Sequence, residues 1–238
     1  MADRPRSRDR PPSPPEESTA RHRRSQIAVV VGVLLVGIGV LVGLLVSAPG
    51  SGPAKASTTS IPAAPGGPER IPLEAGPPLA PASTAATGQT VDGIECNSTE
   101  QAVYHVHTHL SVFVDGTARP VPAGIGIVLP LVQSTPNGAF LVASHCYYWL
   151  HVHAQDGVIH IESPTEQRYT LGQFFDLWQQ PLSSTQVGPA SGTVTAFVNG
   201  RRFAGDPRAI PLGSREVIQL DVGTPVAPVR VDWSPTSL

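Results

Sequence analysis

Seven of the eight histidines lie between His105 and His160, a clustering for which packing gives no reason. The stretch from His145 to Glu162 reads HCYYWLHVHAQDGVIHIE. Asp156-Gly157 divides it into two alternating runs, the dipeptide that most favours a tight hairpin turn. With those two residues as the turn, His153 is expected opposite His160, and His151 opposite Glu162. Alternate side chains of a strand share a face. His151, His153, His160 and Glu162 therefore converge on one face, and Leu150, Val152, Ile159 and Ile161 occupy the other. Neutral imidazole is the commonest protein ligand for first-row transition metals. The pattern thus predicts a metal site with His151, His153 and His160 as ligands. Glu162 is expected to be a fourth ligand or an acceptor that orients an imidazole.

A second run, Tyr104 to Asp115, reads YHVHTHLSVFVD and ends in another turn dipeptide, Asp115-Gly116. His105, His107 and His109 share a face there. They span about 13 Å of extended chain, too far for all three to reach one ion easily. One or two of them could join the hairpin site if the strands are neighbours. Such donors suit Zn or Cu, bound for sensing, delivery or structural use. A metal-dependent oxygenase or hydrolase with an open His/Glu site is a second class of function. A polar or pH-responsive face that contacts a partner without metal is a third, since clustered imidazoles protonate between about pH 5 and 7. The chain has no HExxH helix, GxSxG elbow or phosphate-binding loop.

Two cysteines are too few for a disulfide scaffold and enough for one staple. Cys146 has the strand parity of Leu150 and Val152, which points it away from the histidine face. A Cys96–Cys146 disulfide is expected, joining the segments that carry the two histidine runs; two buried free thiols are the alternative.

The elements that must position these residues occupy little more than half of the 238-residue chain. Residues 1–26 are rich in Arg, Pro and Ser and read as a disordered basic tail. Ile27 to Val46 is an uncharged apolar run long enough to cross a bilayer as a helix. Arg21, Arg23 and Arg24 precede it, so the tail is expected in the cytoplasm and the remainder outside. A signal-anchor fits this run better than a cleaved signal peptide, because Pro49 follows the only small-residue cleavage motif. Gly39 and Gly43 form one GxxxG spacing, which could pair two spans in a homodimer. Residues 47–90 are mostly Pro, Ala, Ser, Thr and Gly and read as an extended stalk. With a net charge of −2, the chain gives no electrostatic case for nucleic acid.

The folded domain is expected from Val91 to Gly223, with a flexible tail over 224–238 in which Val229 to Trp233 could add an edge strand. Thr170 with Gln173 makes a capping-box pattern, and Leu171, Phe174, Phe175 and Trp178 share one helical face. Pro181 stops that helix. Asn199-Gly200 marks a further hairpin, and Ile218, Leu220 and Val222 line one face of a last strand. The sum is an α+β domain, a mainly antiparallel sheet with one short helix, β-grasp-like or a small barrel.

The succession HxHxHL, LHxH, GxIHIE and TLGxFFxxW, read from His105 to Trp178, resembles a group of bacterial and archaeal membrane-anchored proteins. The resemblance covers about Val91 to Val222. It implies an extracytoplasmic domain and no particular activity.

The topology has a direct check. A reporter enzyme fused to the C-terminus should be active only when it requires export. Neutralising Arg21, Arg23 and Arg24 together should reduce that activity by weakening the charge bias.

Overall fold

The computed structural model describes residues 66–83 and 85–238. The basic tail, the apolar run and residues 47–65 of the stalk lie outside the described residues. Thirteen strands and one α-helix follow in order. They are β1 (Cys96–Asn97), β2 (Tyr104–Val114), β3 (Thr117–Ala118), β4 (Ile127–Thr135), β5 (Gly138–Tyr148), β6 (Leu150–His151) and β7 (Val158–Ser163). Then come α1 (Leu171–Trp178), a small meander of β8 (Leu182–Ser183), β9 (Gln186–Val187) and β10 (Ala190–Ser191), and β11 (Val194–Val198), β12 (Arg201–Phe203) and β13 (Glu216–Val222).

The principal sheet runs β12-β11-β13-β2-β7-β6, with β3 hydrogen-bonded to β2. Its pairs are antiparallel except at the centre, where β13 runs parallel to β2. A second sheet, β1-β5-β4, is dominated by the long β4–β5 hairpin. The architecture is a mostly antiparallel, mixed sheet with one short helix, as expected for an α+β domain.

Turn chemistry places several of these strands. Asp115 and Gly116 both adopt positive φ, as do Asn199 and Gly200. Each pair closes a two-residue hairpin, Val114 facing Thr117 and Val198 facing Arg201. These are the residues that tolerate left-handed backbone at both turn positions. Asp156-Gly157 behaves differently, and the register predicted from it is corrected. Gly157 has φ 77°, whereas Asp156 is not among the positive-φ residues, so the tight turn is not made. Instead Asp156 is buried and accepts a hydrogen bond from the Val158 amide at 3.1 Å. The strand ends at His151, which pairs with His160 rather than Glu162, while Leu150 pairs with Ile161. The partner shifts by two residues, so every side chain keeps its face.

Helix α1 forms as its sequence dictates. Thr170 accepts from the Gln173 amide, Gln173 bonds back to the Thr170 amide, and Gln179 ends the helix in left-handed backbone with φ 58°. Leu171, Phe174, Phe175 and Trp178 are fully buried, in one cluster with Leu110, Leu150, Val152, Ile159, Ile161, Ile218 and Leu220. The apolar face of the sheet thus meets the helix, and the histidine face is left on the other side.

The disulfide Cys96–Cys146 is present, with the two Cα atoms 5.5 Å apart. It fastens β1, which leads toward β2, to β5, which leads directly into His151. The start of the folded unit is also corrected. Between Gly66 and Thr90 the chain lies on the domain, with Ile71, Leu79 and Ala80 buried. The Leu79 amide bonds to Pro120 O at 2.9 Å, and the Trp178 indole donates to Pro81 O at 2.8 Å. Three buried apolar side chains and these hydrogen bonds anchor a Pro- and Ala-rich stretch to the domain. At the other end, Val229 to Trp233 adds no strand; the Val229 amide donates to Gln219 Oε1 at 2.8 Å.

The core assignment has a quantitative consequence. Phe175→Ala should lower unfolding stability by about 3–5 kcal/mol, the usual cost of emptying a buried aromatic site. Urea unfolding followed by tryptophan fluorescence measures it, and a change within about 0.5 kcal/mol would place Phe175 at the surface.

Candidate metal centre

Strand alternation delivers the donors. The β2–β7 register sets His105 opposite Glu162 and His107 opposite His160. On the far side of β7, His160 also faces His151 of β6. His153 follows two residues later, in the bend after β6. The side chains of His107, His151, His153, His160 and Glu162 are all buried, and His105 is exposed at the rim.

Two donor groups with three histidines each result, their ligating atoms within 4.8 Å of one another: His105, His107, His160 and Glu162 in one, and His151, His153 and His160 in the other. In the first, His105 Nε2 lies 3.0 Å from His107 Nε2 and 3.0 Å from Glu162 Oε1. His160 Nδ1 is 3.1 Å from His107 Nε2 and 3.2 Å from Glu162 Oε1. In the second, His151 Nε2 and His153 Nε2 approach to 3.0 Å. The sequence expectation of a His151, His153, His160 set therefore meets a real convergence, and His105 and His107 join it through their neighbouring strand. The expected direct pairing of His153 with His160 across the hairpin does not occur. His109 stands apart, near Glu74 and Ser111, and His145 is exposed on β5.

The second pair reveals its chemistry through tautomers. His151 Nδ1 lies 2.8 Å from Tyr148 O, and His153 Nδ1 lies 2.6 Å from Leu141 O. A carbonyl only accepts, so both Nδ1 atoms must carry the proton. Both Nε2 atoms then present lone pairs to each other at 3.0 Å. Two acceptors at that distance repel unless an electrophile lies between them. A tetrahedral zinc with bonds of about 2.0–2.1 Å sets its nitrogens roughly 3.3 Å apart, so the gap suits a metal ion after small adjustment. The carbonyl contacts are the outer partners that hold ligating imidazoles in place.

β5 supplies both a wall and an anchor. The Phe140 ring stacks on His153 at 4.1 Å between centroids, and Tyr147 packs near His151 at 5.3 Å. Gly157 matters for close approach, since a Cβ there would lie 2.8 Å from His109 Nε2.

Three acidic residues were not singled out in the sequence. The Glu69 side chain is only 6% exposed, with Oε1 2.8 Å from His160 Nε2 but off the line of a hydrogen bond. Glu100 Oε1 lies 3.5 Å from His153 Nε2, and Glu100 groups with His151 and Glu162 as a third donor set. Glu74 lies 3.7 Å from His109. A signal for two of them existed, because Glu69 and Glu74 are the only acidic residues between Ser47 and Thr90 and bracket Ile71 and Leu73.

Charge separates the imidazoles. Burial, with His153 and His160 close by, holds His151 well below its ordinary range. Burial and His160 hold His153 at about 4, and burial with His160 and His105 holds His107 at about 2. His160 is the exception. Burial opposes its charge, but Glu69 and Glu162 outweigh burial and push it up to about 10. Burial and the Glu69 carboxylate raise Asp156 to about 8, so Asp156 holds a proton at neutral pH and can donate it to Glu69. The His160 imidazolium is thus set among the neutral imidazoles of His107, His151 and His153.

No protein-family model, curated protein or solved structure matches this chain. Geometry is therefore the basis for any functional reading.

A proton count follows from these charges. His160 must lose its proton to ligate, whereas His107, His151 and His153 are already neutral near pH 7. Metal binding at about pH 7 should therefore release about one proton per chain. Affinity should rise with pH until His160 is deprotonated in the free protein. Calorimetric titration in buffers of different ionisation enthalpy measures the release, and none at all would exclude His160 as a ligand.

Proposed function

We propose that this chain is a membrane-anchored extracytoplasmic protein whose histidine face binds a first-row transition metal, Zn or Cu, for sensing, delivery or structural use. One observation carries the metal reading: the His151 and His153 lone pairs face each other at 3.0 Å with both Nδ1 atoms committed to backbone carbonyls. Such an arrangement costs energy without a cation and is ordinary with one. The mix of imidazole and carboxylate donors, with no thiolate, suits Zn and Cu(II) better than Cu(I). The location rests on the basic tail and apolar run of the sequence, and the disulfide suits an oxidising compartment.

A metal-dependent hydrolase or oxygenase is the second reading. The exposed edge at His105 and Glu100 favours it, because their side chains are each 44% exposed and would leave a bound ion reachable from solvent. The β-grasp-like description of the sheet is supported by strand order. β2 and β13 run parallel at the centre, β7 and β11 flank them, and α1 lies on the connection from β7 to β11.

Elemental analysis of the chain purified without a histidine tag tests the metal reading, and Zn or Cu should be found at one or more equivalents. His151→Ala with His153→Ala should lower affinity at least tenfold, whereas His145→Ala should leave it unchanged. Metal-free protein that also fails to take up added Zn(II) or Cu(II) would sink the proposal and favour a partner-binding face.

A further inference from the structure

The donors are too many for one ion. Five imidazoles, those of His105, His107, His151, His153 and His160, share the face with the Glu162 carboxylate, and Glu69 and Glu100 add two more carboxylates. A first-row ion takes about four to six ligands. The donors also fail to merge into a single group. No common set within 4.8 Å contains both the His105/His107 pair and the His151/His153 pair, although each pair groups with His160. Each pair has its own gap of 3.0 Å between Nε2 atoms. The His160 ring is met edge-on by one member of each pair, His107 and His153, with centroids 4.5 Å away in both cases.

Glu162 lies beside His105, His107 and His160 on one side and groups with His151 and Glu100 on the other. Its Oε1 lies 3.0 Å from His105 Nε2 and 3.2 Å from His160 Nδ1. Its Oε2 lies 4.0 Å from His151 Nε2. A carboxylate with its two oxygens turned to two donor sets is suited to bridge two ions, and ions in two-metal sites lie about 3.5–4 Å apart.

We propose that the histidine face is a dinuclear centre: one ion held by His105, His107 and Glu162 Oε1, a second by His151, His153 and Glu162 Oε2, with Glu162 as the bridge. This rests on the metal-binding reading above and deepens it. His160 Nδ1 lies 3.1 Å from His107 Nε2, and Glu100 Oε1 lies 3.5 Å from His153 Nε2, so each can add a donor to the ion beside it. His105 and Glu100 make the solvent-facing rim, one beside each ion, so a water or an anionic ligand could enter between them. A centre of this type is suited to clamp a phosphoryl or carboxylate group across both ions.

The full chain, without a tag and in detergent, is stripped of metal and titrated with Zn(II), and in parallel with Cu(II). Two equivalents per chain should remain after gel filtration. The loaded Cu(II) form should show a half-field electron paramagnetic resonance signal from coupled ions. His105→Ala with His107→Ala should retain one equivalent, and so should His151→Ala with His153→Ala, and the half-field signal should vanish in both. Glu162→Gln should keep the fold but weaken the coupling. Non-reducing thiol assay and circular dichroism establish that each variant retains its disulfide and fold. A stoichiometry of one in the unmodified chain overturns the dinuclear centre while sparing the metal-binding reading, and zero overturns that reading itself. Two equivalents without coupling overturn the Glu162 bridge. Loss of both ions from either folded double variant overturns the division into two ion positions.

Discussion

The antiparallel pairing of β2 with β7 is the constraint on which the site depends. It sets His107 across from His160 and His105 across from Glu162. The same register sends Leu110 and Val112, with Ile159 and Ile161, into the core beneath α1. A strand has a period of two, so a slip of one residue would bury imidazoles against Phe174 and Trp178 and expose the aliphatic face. The hydrophobic term therefore enforces the donor geometry. Nothing in the site has to hold β2 and β7 in register, because the core already does so.

Around that frame the chemistry is a matter of charge. Glu69, Glu100 and Glu162 crowd a face in which the His160 imidazolium is the buried cation among the described residues. His107, His151 and His153 stay neutral because burial and the His160 charge both disfavour a second. A metal ion entering between them would take over the role of the imidazolium proton, against the same carboxylates and with more ligands. The protonated and the metal-loaded states are thus two ways of neutralising one cluster. Asp156 stays protonated beside Glu69 and adds no further negative charge at neutral pH.

The second sheet supplies what the first lacks. Tyr148 and Leu141 of β5 offer the carbonyls that fix the His151 and His153 tautomers, and Phe140 covers the His153 ring. β5 is itself tied to β1 by the Cys96–Cys146 disulfide and by the Cys96–Tyr148 register. The disulfide accordingly stiffens the strand that orients two of the imidazoles. That is a more specific role than stapling one histidine strand to another.

By itself the sequence determined the elements that depend on local chemistry. The capping box of Thr170 and Gln173, the Asp115-Gly116 and Asn199-Gly200 turns and the alternation of β2, β7 and β13 all act through neighbours in the chain, so they were legible there. The histidine face was legible for the same reason, since period-two alternation assigns faces whatever the partner strand. Tertiary structure alone decided which strands became neighbours and in what register. Asp156-Gly157 shows why: Asp156 is buried beside Glu69 instead of closing the local turn, and in strand register His160 came to face His107 and His151 instead of His153. The approach of Glu69 and Glu100 to the imidazoles was likewise decided by tertiary structure. Each lies outside the alternating strands and is brought to the imidazoles by packing, in the case of Glu69 by a Pro-rich segment anchored through Ile71 and Leu79. The parallel docking of β13 on β2 joins residues about as far apart in sequence as Leu110 and Ile218, and only burial of their shared face selects it.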